Sequence, residues 1–130
     1  MSPSRNRNRE TKKATTPSGP PNPGSVYKAH SSILIGGDAK KDVMRRVGAI
    51  KAIPGPPPAW ITLGRTTTDH RRGDLPSPAD DRCGLNLDGW WSKRFQHTIQ
   101  AEQLGNEVQC PYLGELSEEA RIQVLAYYDE

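Results

Sequence analysis

The side chains with chemical capacity fall into two basic groups and one aromatic pair. Arg5, Arg7, Arg9, Lys12 and Lys13 alternate with Asn near the start, which keeps the charges spaced and solvated. Lys40, Lys41, Arg45, Arg46 and Lys51 form a second group, at spacings that collect them on one side of a helix. Ten cations in two elements can neutralise about that many phosphates, giving sequence-independent, salt-sensitive binding. Trp90 and Trp91 are followed by Lys93 and Arg94. An indole beside cations is the combination by which single-stranded nucleic acid is stacked and its backbone neutralised. The plainer reading has a solubilising tail, a solvated helix face, Trp91 in the core and Trp90 half exposed at a helix start. The candidate nucleic-acid contacts are therefore these five tail cations, the five of the second group, and Trp90, Lys93 and Arg94.

Other chemistry finds less support. There is no phosphate-cradling P-loop, dinucleotide fingerprint, nucleophile elbow or H-E-x-x-H pair. Asp69-His70 could form half of a general-base arrangement, but no nucleophile or oxyanion donor stands at a recognisable spacing. His70, Cys83, His97 and Cys110 are separated by twelve or thirteen residues, whereas structural zinc sites present ligands in close pairs. No catalytic residue, metal or cofactor is expected, and the chain reads as a non-enzyme. Arg72-Gly73-Asp74 is an RGD tripeptide on an expected loop, read as a chance occurrence because nothing points to secretion. Ser2-Pro3, Thr16-Pro17 and Ser77-Pro78 are candidate proline-directed phosphorylation sites.

The elements that must position these residues are constrained by a thin apolar supply. Of 130 residues, 33% are apolar, with 12 Gly and 12 Pro and a single Phe. Leu, Ile, Val and Phe together number 22, and none precedes Val26. No apolar run approaches the roughly 20 residues of a spanning helix. The net charge of +3 is the sum of opposed ends. Residues 1–60 carry eleven Lys/Arg and three acids, residues 61–104 balance, and residues 105–130 carry one Arg and six acids. The basic half attracts polyanions and the acidic end docks basic surfaces. Two cysteines make no disulfide framework, and no apolar signal segment is visible, so an intracellular setting is expected, in cytoplasm, nucleus or virion.

Residues 1–24 read as a disordered basic tail passing into a Pro/Gly linker, and residues 25–130 as one small domain. Within it, Ser31–Ile35 reads as a short buried strand ended by Gly36-Gly37. Asp38 then caps a helix over 39–52, on the spacing of Ala39, Val43, Met44, Val47 and Ile50; a strand from Val47 to Ile53 is the competing reading. Residues 54–58 form a Pro-rich extended link, Trp60–Leu63 together with Thr66–Thr68 a second strand broken at Gly64, and 69–88 a long loop. Asp88 caps a second helix from Trp90 to about Leu104, with Trp91, Phe95, Thr98 and Ile99 on one face. Ser117 caps a third, with Glu118 and Glu119 in its first turn and Ala120, Val124, Leu125 and Tyr128 as its buried stripe. The expected fold is α+β or mostly α, a marginal domain of about three helices and two short strands.

These features point to a structural or accessory component of a larger assembly, such as a ribonucleoprotein or viral particle. Its basic half would contact RNA or another polyanion and its acidic C-terminal helix would contact protein. A lattice, matrix-type or cytoskeletal lining protein is the first alternative, and a small viral regulator that suppresses host silencing through RNA is the second.

Overall fold

The computed structural model describes residues 19–36 and 42–130. It overturns the mainly helical expectation: six antiparallel strands form one curled, half-barrel sheet, with a single C-terminal α-helix. The strands are β1 (Ser25–His30), β2 (Met44–Ile53), β3 (Ala59–Thr66), β4 (Leu75–Ser77), β5 (Gly89–Gln100) and β6 (Tyr112–Glu115), and the helix is α1 (Glu118–Asp129). Their order across the sheet is β4-β5-β3-β2-β1-β6.

Two expected helices are strands, and irregular registers explain why. Residues 44–52 of the expected 39–52 helix lie in β2, residues 39–41 fall outside the described residues, and the competing strand reading from Val47 to Ile53 is closer to the structure. Between Ala49 and Lys51 the β2–β3 register shifts. Val47 and Ala49 therefore join one core, and Ile50 joins the other. Apolar residues feeding both faces of a doubly covered strand do not alternate, and a shift in register disguises the period further. The expected 90–104 helix is β5 followed by a single turn of 3₁₀-helix at Ala101–Gln103. Here Gly64 pairs with Ser92 while Leu63 pairs with Gln96, so Lys93, Arg94 and Phe95 form a three-residue bulge. An odd insertion inverts the facing of everything beyond it. Trp91 and Ile99, whose spacing imitates one helix face, lie in separate cores on opposite sides of the sheet.

The other expectations divide. Ser31–Ile35 is not a strand: Ser31–Ile33 is a 3₁₀ turn, and only Ile35 bridges, to Thr98 of β5. The strand expected over Trp60–Leu63 and Thr66–Thr68 is present as β3, which runs unbroken through Gly64 and ends at Thr66, leaving Thr67 and Thr68 outside it. The loop expected over 69–88 contains β4 and a 3₁₀ turn at Asp81–Cys83. Ser117 caps α1 as expected, its side chain accepting from the Ala120 amide at 3.2 Å.

Both faces of the sheet are covered. On the helix face, Val124 and Tyr127 of α1 pack with Val26, Ile50, Leu63, Leu85, Trp91 and Leu116, and Cys83 is buried among them. On the opposite face, Tyr27, Ala29, Val47, Ala49, Ile99 and Cys110 form a second core, against which Ile33, Leu34, Trp60 and Leu104 pack. Splitting a modest apolar supply over two layers is the physical meaning of the thin core in the sequence. No helix among the described residues is long and apolar enough to cross a membrane.

Candidate functional site

Pairing between β2 and β3 runs only from Ile53↔Ala59 to Val47↔Gly64. Beyond that point β2 stays paired with β1 as far as Met44, and β3 stays paired with β5 as far as Thr66. The sheet therefore forks. Val43–Arg46 form one prong and Arg65–Thr68 the other, around a cleft of about 270 Å³. Three arginines and three threonines line it.

Gly64 sits at the crotch of the fork because a side chain would not fit there. A Cβ on it would lie 2.6 Å from Phe95 Cβ and 2.9 Å from Arg45 Cδ. The absence of that Cβ lets the bulged Phe95 fold over the sheet, where its ring receives two cations. Arg45 Cζ lies 4.0 Å and Arg94 Cζ 4.5 Å from the ring centroid.

The three arginines differ in how far their donors are committed. Arg65 is only 5% exposed. It donates to Ser77 Oγ at 2.9 Å and to the carbonyls of Ser77 and Leu87, each at 2.7 Å. It thus fastens edge strand β4 and the 85–88 segment to β3. Arg46 donates through Nε to the Gly84 carbonyl at 2.7 Å, and Arg45 through Nη1 to the Arg65 carbonyl at 3.3 Å. Among the described residues none of the three has a carboxylate within ion-pair distance. Burial, and then the neighbouring Arg46 charge, lower the Arg65 pKa from its ordinary value. Burial also lowers that of Arg45, with Asp69 opposing and Arg94 adding to the shift. Carbonyl oxygens satisfy hydrogen bonds without neutralising charge, so the fork holds a positive field with room for an acceptor.

The expected contact residues are not gathered on one helix face. Arg5, Arg7, Arg9, Lys12, Lys13, Lys40 and Lys41 lie outside the described residues. Arg45 and Arg46 are consecutive on a strand and so point to opposite faces, meeting only because the fork opens to both. Lys51 is exposed on β2 beyond its register shift, away from the fork. Lys93 is directed to the end of α1: its Nζ donates to the Glu130 carbonyl at 3.2 Å and lies 4.9 Å from the Tyr127 ring centroid. A cation there complements the helix dipole. Arg94 is engaged by Asp69 and Asp74, at 3.5 and 3.7 Å. Trp90 is half-buried beneath a ring, His70, stacked at 3.7 Å.

Arg65 and Thr66–Thr68 were not among the expected contacts. The one hint is local: a cation followed by three hydroxyls at a strand end supplies charge and hydrogen-bonding groups where backbone pairing stops. Several weaker motifs resolve as structure. Asp74 of the RGD tripeptide is only 8% exposed at its side chain and accepts from the Arg71 amide at 2.8 Å, so its carboxylate is not displayed. Ser77 is buried and holds Arg65, which removes Ser77-Pro78 from the accessible phosphorylation sites of the folded chain. Cys83 and Cys110 are buried in the two separate cores, where desolvation pushes each thiol up to about 11. Among the described residues no group of three or more His, Cys, Asp and Glu is placed to hold a metal ion. No protein-family model, curated protein or solved structure matches the chain.

Proposed function

We propose that this protein is a non-enzymatic component of a larger assembly that binds RNA or another polyanion through the fork and the basic N-terminal half. The observation that carries this reading is the fork itself: Arg45, Arg46 and Arg65 around a cleft with Thr66–Thr68 and no carboxylate partner among the described residues. Guanidinium forks and hydroxyls are the donors that phosphate oxygens accept from. The chain's acidic C-terminal helix would contact a protein partner. Glu118 and Glu119 are exposed on α1 beside Ile122, which is 53% exposed, a combination suited to a basic protein surface with an apolar centre.

The test is fluorescence anisotropy of labelled RNA against salt, with the full chain and with a chain lacking residues 1–24. Affinity should fall steeply between about 50 and 200 mM salt, and the shortened chain should bind more weakly with a shallower salt dependence. Salt-independent or absent binding by the full chain would sink the proposal.

A further inference from the structure

The segment joining β3 to β4 does not stand away from the sheet. His70 lies on Trp90 with ring centroids 3.7 Å apart and planes within 11° of parallel. Its neighbour Asp69 holds a carboxylate oxygen 3.5 Å from Arg94 Nη1, and the Asp69 carbonyl accepts from Arg94 Nη2 at 2.5 Å. Two consecutive residues thus set an anion on a guanidinium and a flat ring on an indole. Arg45 shares the Phe95 ring with Arg94, so two cations lie near that anion.

This surface is continuous with the fork. Trp90 is the cross-strand partner of Thr66, which lines the cleft. Cross-strand partners share a face, with Cβ atoms about 4.5–5.5 Å apart. A ring platform, two guanidiniums and the fork are therefore ranged along one stretch of sheet. The contacts that cover the platform are of the kind easily exchanged. His70 is exposed and the Asp69 side chain is 60% exposed, so the Asp69 half of the pair lies in solvent, while Arg94, 20% exposed, keeps Asp74 at 3.7 Å; an ion pair with one partner so wet holds weakly.

We propose that Asp69 and His70 occupy a site for one unpaired nucleotide of a single-stranded nucleic acid. Its base would stack on Trp90 and its phosphate would lie on Arg94 and Arg45. The Asp69-His70 step acts as an internal mimic, carboxylate for phosphate and imidazole for base, and an incoming strand displaces it. The inference rests on the polyanion-binding reading and names the ligand class of the surface next to the fork. It separates single strands from duplexes, because a base paired within a helix cannot lie flat on an indole.

The experiment measures binding of a 12-nucleotide single-stranded RNA and a 12-base-pair RNA duplex to the full chain and to its H70A, W90A, H70A/W90A, D69N and E102Q variants. Removing His70 can only subtract positive charge, so tighter binding has no charge explanation. H70A should bind the single strand about 2- to 12-fold more tightly, the range a stacking contact spans, with no gain for the duplex. That gain should vanish in H70A/W90A. D69N should gain more than E102Q, which removes the same charge from an exposed position away from the platform. An H70A variant that binds the single strand no better than the parent, or improves duplex binding equally, overturns the inference. So does a D69N gain no larger than that of E102Q. Absence of binding by every variant overturns instead the polyanion reading beneath it.

Discussion

Adding one methyl group at Gly64 should destabilise the protein, although a glycine inside a strand ordinarily gains stability on becoming alanine. Its φ is not in the left-handed region, so the backbone itself tolerates a side chain, and the whole effect must come from space. The new Cβ would meet Phe95 Cβ at 2.6 Å, Arg45 Cδ at 2.9 Å and the Phe95 carbonyl oxygen at 3.3 Å. Carbon atoms prefer a separation of about 3.5–4.0 Å. The first contact is therefore short by about 1 Å. Arg45 can swing aside, but Phe95 Cβ is fixed to the backbone of a buried strand, so β3 and β5 must part at the bulge. Overpacking of this kind costs about 1–3 kcal/mol. At about 4 °C per kcal/mol for a domain of this size, Tm should fall by roughly 4–12 °C. Thermal unfolding followed by circular dichroism measures it, with Gly19→Ala as the control, because nothing lies within 4 Å of that position. A Gly64→Ala Tm equal to or above that of the parent would refute the close approach that builds the fork.

Four further outcomes follow from other contacts. Arg65→Met should lower stability by about 1–3 kcal/mol in urea unfolding, because the Ser77 and Leu87 carbonyls lose a buried donor; an unchanged midpoint would mean Arg65 is not a fastening. Ser117→Ala should cost about 0.5–2 kcal/mol through loss of the α1 cap, read as a lower midpoint and reduced helical signal. Cys83 and Cys110 should react with a thiol reagent at pH 8 far more slowly in the folded chain than after denaturation, and equal rates would contradict their burial. The folded chain holds both thiols protonated up to about 11, against an ordinary value of 9.0. Over that window the unfolded state binds fewer protons, so stability should be complete below about pH 9 and decline as pH rises toward 11. A flat unfolding midpoint across this range would contradict it.

What could be read from the sequence tracks how local the cause is. The α1 start was legible because Ser117, Glu118 and Glu119 act within a single turn. Part of β3 was legible because Trp60–Leu63 alternate before any irregularity intervenes. Strand β2 was legible only as the alternative to a helix, because Val47 and Ala49 serve one core and Ile50 the other. Strand β5 was hidden because Lys93–Phe95 bulge out and place Trp91 and Ile99 on opposite faces at a spacing that imitates a helix. Neither bulge leaves a signature in residue type, since its cause is a partner strand roughly 30 residues away in β5 and about ten in β2. The candidate site shows the same division. Arg45 and Arg46 were singled out by charge alone, but the fork that joins them to Arg65 exists only because two strand pairs separate. The commitment of Lys93 to the end of α1 likewise depends on contacts made 34 to 37 residues further along the chain.

If the fork is a phosphate-binding cleft, the salt dependence of RNA binding must change in the full-length R45Q/R46Q variant. Each arginine that meets a phosphate contributes about one unit to the slope of log affinity against log salt. The variant, shown by circular dichroism to remain folded, should bind more weakly with a slope shallower by about two. An affinity and slope identical to those of the parent chain would mean that the fork takes no phosphate.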